Sequence, residues 1–257
     1  MKQLYSNIIG EGEKHLLILH GFLGMGDNWK SHAKNLAEKG YCVHLIDQRN
    51  HGRSFWSVDF SYKFMVEDLK AYMDNHQIAN AILLGHSMGG KTAMNFALKY
   101  SQLVKKLIIV DISTRYYTPH HQNILAGLAS LDFQVVRSRK EAEEQLTHYI
   151  SDFGIRKFLL KNLYWIDNGK LGLRINIEVL KNSGEAIGQA VNSDKVFDKP
   201  TLFMIGSDSN YVEKSTDYQM ITSYFLKIEM IEIKGAGHWL HAEQPKLFFD
   251  NLTSWLD

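Results

Sequence analysis

The chain has 257 residues, of which 45% are hydrophobic, enough for one α/β domain with a large buried core. Its formal net charge of +1 gives no reason to expect a nucleic-acid partner. Residues 1–10 lack the basic and apolar regions of a signal peptide, and the longest apolar runs are too short to cross a bilayer. We therefore expect a soluble cytoplasmic protein without membrane insertion.

Short apolar runs alternate with longer helix-like segments, the pattern of a parallel sheet wound with helices. The predicted strands cover residues 16–20, 43–47, 82–85, 107–111, 201–205 and 228–233. The predicted helices cover residues 28–39, 62–76, 88–100, 216–225 and 245–255. This order predicts a single α/β domain over residues 1–257, with a mostly parallel sheet flanked by helices.

Residues 113–198 break the alternation, because they are mostly helical in pattern, polar and aromatic, with no strong buried-strand run. A structureless loop of this length is uncommon in a compact domain. Open α/β sheets bind ligands at the C-terminal ends of their strands. We therefore predict a helical insertion that caps a site at that edge; ordinary crossover helices are the alternative.

The central chemical signal is the sequence G-H-S-M-G at residues 85–89. G-x-S-x-G is weak by itself, but here it follows an apolar run and precedes a helix-like segment, as a nucleophile elbow requires. The flanking glycines let strand and helix backbones approach closely, and the helix N-terminus stabilises developing negative charge. The position predicts Ser87 as a nucleophile held in a strained turn.

A serine hydroxyl needs a base, and His238 is the best candidate because it follows the last predicted strand in a glycine-rich loop. The order Ser, acid, His is that of the α/β-hydrolase triad. His86, next to Ser87, is interpreted as structural because the elbow turns it away. An oxyanion hole needs two backbone N–H groups, for which we choose Met88, after the nucleophile, and Phe22, in the loop after the first core strand.

The acid has two candidates. The common position for it, three residues beyond Gly206, holds Ser209, and Asp208 lies one residue too early. Asp111 ends the preceding predicted strand at the same edge of the sheet. We favour Asp111 because a one-residue slip reverses the direction of a side chain on a strand, although a loop can absorb it.

No metal site and no cofactor are predicted. His238 and His241 could form a pair of ligands, but no third ligand with suitable spacing accompanies them. The single cysteine, Cys42, cannot form an internal disulfide, and we interpret it as a small buried hydrophobic residue, consistent with a reducing compartment.

Several motifs in this order resemble the YbfF-type esterases, small bacterial proteins with the α/β-hydrolase fold. They are H-G-F-L-G at 20–24, D-Q-R-N-H-G-R-S at 47–54, G-H-S-M-G-G-K at 85–91, V-D-I at 110–112, G-S-D-S-N-Y-V at 206–212 and G-A-G-H-W-L-H-A-E at 235–243. The likeness spans nearly the whole chain and is weakest in residues 113–198. The R-N-H-G and G-H-S-M-G-G-K forms are much more specific than G-x-S-x-G.

The resemblance implies a serine esterase that acts on short acyl esters, with acyl-CoA thioesters as possible ligands. It also implies that Asp111 is the acid and that Ser209 joins the network around the histidine. This chain departs from the family at Asp208, where the family has asparagine, and a competing carboxylate there leaves the acid open.

Two other functions remain as hypotheses. Residues 20–24 and Trp29 are also similar to the menaquinone-pathway lyases, in which Ser-His-Asp abstracts a proton without forming an acyl-enzyme. A ligand-binding pseudoenzyme is the alternative from another class, and the intact Ser87, His238 and glycine framework argues against it.

Overall fold

A computed structural model describes residues 2–167 and 169–257. Its strands, in chain order, are β1 (Ser6–Ile9), β2 (Lys14–Leu19), β3 (Tyr41–Ile46), β4 (Ala81–His86), β5 (Val104–Val110), β6 (Leu163–Asp167), β7 (Lys170–Leu173), β8 (Phe197–Gly206) and β9 (Phe225–Ile233). Seven of them form one sheet in the order β1-β3-β2-β4-β5-β8-β9. β1 pairs antiparallel with β3, and the other five pairings in this sheet are parallel.

The helices cover both faces of the sheet. They are α1 (Lys30–Glu38), α2 (Tyr62–Asn75), α3 (Met88–Lys99), α4 (Gln122–Ala129), α5 (Arg139–Leu146), α6 (Phe153–Leu160), α7 (Ile177–Leu180), α8 (Gly184–Gly188), α9 (Lys214–Tyr224), α10 (Leu240–Glu243) and α11 (Pro245–Leu256). In the described part of the chain, no helix is both long enough and apolar enough to span a bilayer.

Strand β2 shows how the sheet divides the core in two. Leu17 and Leu19 face the cluster formed with α2, α3 and α9. Leu16 and Ile18 face the cluster formed with α1 and α11. Because successive side chains on a strand point to opposite faces, a strand covered by helices on both sides reads as a continuous apolar run.

The predicted α/β-hydrolase fold is confirmed, and all six predicted strands are present. The structure adds β1, which the sequence analysis missed. This strand has four residues and is only partly buried at the sheet edge, so it carries no long apolar run. It pairs with the fully buried β3, whose apolar run was predicted.

Residues 113–198 contain α4 to α8, as the helical pattern predicted, and also the antiparallel hairpin of β6 and β7, which was not predicted. Trp165 and Ile166 of β6 are exposed, so the hairpin lacks the buried run that identifies a core strand. A third apolar cluster joins this segment to the rest of the protein, because Leu125 and Leu159 share it with Phe22 and Met88.

Candidate active site

Ser87 lies in the turn between β4 and α3. Its backbone has φ 52° and ψ −118°, a conformation that costs free energy in any residue except glycine. A Cβ atom on Gly85 would lie 2.3 Å from Gly89 O, and one on Gly89 would lie 2.2 Å from Leu19 O. The glycines of the motif therefore permit the close packing of β4, α3 and β2 that holds the turn in place.

His238 lies in the loop between β9 and α10, and its Nδ1 is 2.7 Å from Oδ2 of Asp111, the residue directly after β5. Because the carboxylate accepts this hydrogen bond, the Nδ1–H is the donor and Nε2 keeps its lone pair. Asp111 is fully buried, and it also accepts hydrogen bonds from Gly206 N at 3.0 Å and from Ser209 Oγ at 2.5 Å.

Asp208 has different surroundings. It is exposed, and its carboxylate accepts a hydrogen bond from Ser207 Oγ at 2.8 Å. The structure thus brings Asp111 and Ser209 together at His238 and leaves Asp208 at the surface. Asp208 lies one residue before the common position of the acid, and its side chain contacts Ser207 at the surface, whereas Asp111 contacts His238.

Burial sets the electrostatics of this pair. It raises the pKa of Asp111, and the hydrogen bonds from Ser209 and Gly206 oppose the rise. Burial lowers the pKa of His238, and the neighbouring His120 lowers it further. The imidazole is therefore neutral at neutral pH, the form that can accept a proton from a hydroxyl group.

Two aromatic residues position His238. Tyr211 stacks on it with ring centroids 3.6 Å apart and an interplanar angle of 15°. His86 donates from Nε2 to the backbone carbonyl of His238 at 2.8 Å, which agrees with the structural role expected for it. The sequence alone predicts no role for Tyr211, although this residue lies in the motif at 206–212, because a stacking partner is not recognisable from residue type and spacing.

Phe22 and Met88 line a cleft together with Ser87. Within residues 2–167 and 169–257, neither backbone N–H has an acceptor in the protein. The loop that carries Phe22 turns at Leu23, which has φ 60° and donates its N–H to His51 Nε2 at 3.2 Å. His51 Nδ1 lies 2.9 Å from the Arg49 carbonyl, to which it donates, so Nε2 is the acceptor. The motif at 47–54 thus supports the loop of the predicted oxyanion hole, a role for His51 that the sequence analysis missed.

The cleft is small, with a volume of about 30 Å³, and residues 113–198 form much of its wall. The residues of this segment that line the cleft together with Ser87 include Pro119, His120, His121 and Ile187. His120 Nε2 lies 2.6 Å from the Tyr211 hydroxyl, so the wall is connected to the aromatic ring that stacks on His238.

His241, the other histidine considered as a metal ligand, is buried and stacks on Trp29 with ring centroids 4.0 Å apart. Its backbone carbonyl lies 2.8 Å from His32 Nε2, the donor in this hydrogen bond. These contacts assign His241 to the packing of α10 against Trp29 and α1.

Comparisons with known proteins agree with this fold. Residues 14–245 match the family described as "alpha/beta hydrolase fold". The chain is 35% identical over 248 residues to "sn-1-specific diacylglycerol lipase ABHD11" of Mus musculus, covering 94% of this chain and 80% of the relative. It is 31% identical over 233 residues to "Esterase YbfF" of Escherichia coli (strain K12), covering 90% of this chain and 88% of the relative. The solved structure titled "Marine microorganism esterase" has a TM-score of 0.95 at 39% identity, covering 99% of this chain and 100% of that one.

Proposed function

Because this chain belongs to the α/β-hydrolase family and is a carboxylic ester hydrolase, we propose that it cleaves short-chain acyl esters through an acyl-enzyme on Ser87. The observation that carries the proposal is the 2.7 Å contact between His238 Nδ1 and Asp111 Oδ2, in a site that also holds Ser87 at a strained turn. This arrangement supplies a nucleophile, a neutral base and a buried group that orients the base.

The reaction proceeds in two steps. His238 takes the proton of Ser87 as the serine oxygen attacks the ester carbonyl, and the Phe22 and Met88 N–H groups donate to the oxyanion. His238 then protonates the leaving alcohol, and an acyl-enzyme remains. Water attacks this intermediate with His238 again as the base, releasing the carboxylic acid and restoring Ser87. Asp111 holds the ring with Nε2 free and stabilises the imidazolium form.

A short acyl group, in preference to a long one, is supported by the small free volume beside Ser87, about 30 Å³, which a long chain cannot enter unless the surrounding side chains move. The apolar side chains of Phe22, Met88 and Ile187 line it, which suits an alkyl chain of few carbons. A thioester such as a short acyl-CoA presents the same carbonyl and can use the same steps. A longer acyl chain, as in the diacylglycerol named for the mouse relative, needs residues 113–198 to move away from the core.

We propose that residues 113–198 act as a cap whose position limits the acyl chain. The support is the shared apolar cluster between this segment and the core, and the contribution of Pro119 and His121 to the cleft wall. A movable cap would exclude water from the acyl-enzyme and admit the substrate when it opens.

The nucleophile is tested with a fluorophosphonate, which labels an activated serine. Wild type should be labelled at one site, and Ser87→Ala should lose both the label and more than about 10³-fold of the esterase activity. Ser207→Ala serves as the control, since this serine is outside the cleft. Retention of the label by Ser87→Ala would exclude the acyl-enzyme proposed here.

The substrate is tested with p-nitrophenyl esters of increasing chain length, short acyl-CoAs and a diacylglycerol. We expect kcat/KM to be highest for the shortest esters and to fall with chain length. A maximum for the diacylglycerol would contradict the short-chain assignment. Labelling without turnover of any ester would favour the lyase hypothesis, in which the same residues abstract a proton.

A further inference from the structure

We propose that His15, Cys42 and His44 form a binding site for zinc at the end of the sheet opposite Ser87. The ligand atoms of these three side chains all lie within 4.8 Å of one another. In the part of the chain that the structure describes, no other group of three or more His, Cys, Asp or Glu side chains meets this criterion. The site is independent of the esterase chemistry, and nothing in the proposed reaction uses these three residues.

Sheet geometry brings the three side chains to one place. In the parallel pairing of β2 and β3, His15 is opposite Cys42, and Leu17 is opposite His44. Cys42 and His44 are two residues apart, so they share a face of β3, and that face is the one covered by α2. Ser87 and Asp111 follow the C-terminal ends of the strands, whereas this cluster lies where β2 and β3 begin.

The distances between the ligand atoms are close to those around zinc. His15 Nδ1 lies 3.0 Å from His44 Nε2, and Cys42 Sγ lies 3.5 Å from the same nitrogen. Tetrahedral zinc, with bonds of about 2.0–2.3 Å, separates its nitrogen and sulfur ligands by roughly 3.3–3.7 Å. A shift of a few tenths of an ångström in the His15 ring would bring its distance from His44 Nε2 into this range, and all three ligand atoms already lie within 4.8 Å of one another. Two imidazoles with one thiolate are a donor set that zinc prefers.

His44 is already oriented as a ligand. Its Nδ1 lies 2.7 Å from the Tyr72 hydroxyl, and that hydroxyl donates to Ser6 Oγ at 2.7 Å. Since the hydroxyl proton goes to Ser6, the hydroxyl oxygen accepts from His44 Nδ1–H. His44 Nε2 therefore has a lone pair directed at His15 and Cys42. Metal-binding histidines in proteins are held in the same way, by a hydrogen bond at the other ring nitrogen.

The ion can reach the site from the surface. His15 is partly exposed, and so the cluster is open on one side while Cys42 and His44 are buried. His76, an exposed residue after α2, has its ring centroid 5.9 Å from that of His44. The fourth ligand is a water molecule or His76. Binding releases the proton of the Cys42 thiol, and His15 binds as the neutral tautomer that carries its proton on Nε2 and leaves the Nδ1 lone pair for the ion.

Cobalt(II), which replaces zinc with the same geometry, gives the most specific test because Cys42 is the one cysteine of the chain. A thiolate-to-cobalt charge-transfer band can therefore come only from this residue. We expect untagged full-length protein to develop the band up to one equivalent of cobalt and to lose it when zinc is added. Cys42→Ser should remove the band, and His15→Gln should remove it or weaken it strongly.

His148→Ala is the matched control, because His148 is exposed and lies far from the cluster in the 113–198 segment; it should leave the band unchanged. Esterase activity serves as the test of folding for all variants, since none of them is in the proposed catalytic site. Tyr72→Phe should weaken zinc binding by about 10-fold or more, because it removes the acceptor that orients His44.

Two results would overturn the proposal. The first is the absence of the charge-transfer band in active wild-type protein at one equivalent of cobalt. The second is zinc binding that inhibits the esterase and persists in both Cys42→Ser and His15→Gln, which would assign the ion to the histidines around Ser87. A rise in the melting temperature of wild type with zinc, lost in Cys42→Ser, would support it, since a ligand that binds only the folded state stabilises it.

Discussion

Ser87 and Asp111 follow two neighbouring parallel strands at the same level, and both have a left-handed backbone, with φ of 52° and 51°. Ser87 N donates to Val110 O at 3.0 Å, and Asp111 N donates to Met204 O at 2.9 Å, so each residue is tied to the next strand as it leaves its own. A left-handed conformation costs about 1–2 kcal/mol in a residue with a Cβ. Both residues on which the proposed mechanism depends therefore carry backbone strain, and the hydrogen bonds to the neighbouring strands help to hold them in this conformation.

Asp111→Asn should reduce kcat on a short acyl ester by several orders of magnitude. The amide can present the wrong hydrogen-bonding group to His238 Nδ1 and so favour the wrong tautomer, a change that costs about 10⁴-fold in serine proteases. Asp208→Asn and Ser209→Ala should each cause a modest loss, measured in the same assay. A loss of several orders of magnitude in kcat for Asp208→Asn, with little change for Asp111→Asn, would show that Asp208 is the acid.

Tyr211 should act through the position of the His238 ring. Tyr211→Phe keeps the stacked ring and removes the hydroxyl that meets His120, so we expect nearly normal kcat. Tyr211→Ala removes the stack, and we expect kcat to fall by about 10- to 100-fold with a smaller change in KM, because a misplaced base affects the chemical step. Equal losses in both variants would mean that the hydroxyl, and not the stacking, is what matters.

Lys91 connects the 113–198 segment to the helix that follows Ser87. It is buried, and its Nζ donates to two carbonyls of this segment, that of Arg115 near its start and that of Gln189 in its C-terminal part. Burial, followed by repulsion from Arg115, lowers its pKa to about 7. These two parts of the segment also pair with each other, through Tyr117 N and Gly188 O at 2.8 Å.

Lys91→Met should therefore loosen the base of the cap. We expect faster hydrogen exchange of the amides of Tyr117 and Val191, measured by mass spectrometry, because two partly buried carbonyls lose a hydrogen-bond donor, worth about 1 kcal/mol each. Lys99→Met is the control on the same helix, where the lysine is exposed and pairs with Glu67. Unchanged exchange in Lys91→Met would contradict this role.

Acid should destabilise the protein through its buried histidines. Burial lowers the pKa of His20 to about 4, and those of His51 and His86 to about 3. In the unfolded chain these rings titrate near 6.5. Between these values the unfolded state binds more protons, so the free energy of unfolding falls as pH falls, by up to about 1.4 kcal/mol per pH unit for each ring.

Asp111 has the opposite effect, since burial raises its pKa to about 6 and the folded state then binds the extra proton. Burial also raises the pKa of Asp47 and Asp68, but histidines with a lowered pKa outnumber these carboxyl groups. The contribution of the neutral histidines to the free energy of unfolding is full above about pH 6.5 and is lost progressively as the pH falls below that value. We expect melting temperatures that are constant between about pH 7 and 8 and fall steeply toward about pH 4.5. A flat profile down to that pH would contradict the burial of neutral rings.

The sequence by itself determined the alternation of strands and helices, and the positions of Ser87 and His238 within it. These features are local: an apolar run of a buried strand, a turn with glycines two residues either side of a serine, and a glycine-rich loop after the last strand are all read within about ten residues. The same local rules miss β1 and the hairpin of β6 and β7, because none of these three short strands carries a long continuous run of buried residues. Their pairing depends on partners elsewhere in the chain.

Only the tertiary structure decided between Asp111 and Asp208 as the neighbour of His238, because the choice depends on which way each side chain points after its strand. The stacking of Tyr211 on His238 was likewise outside the reach of spacing rules. Cys42 was interpreted from its apolar run as a small buried residue, and it is buried, but its proximity to His15 arises from the register of β2 against β3. A single pair of residues cannot define that register, since it is set by the burial of both strands along their whole length.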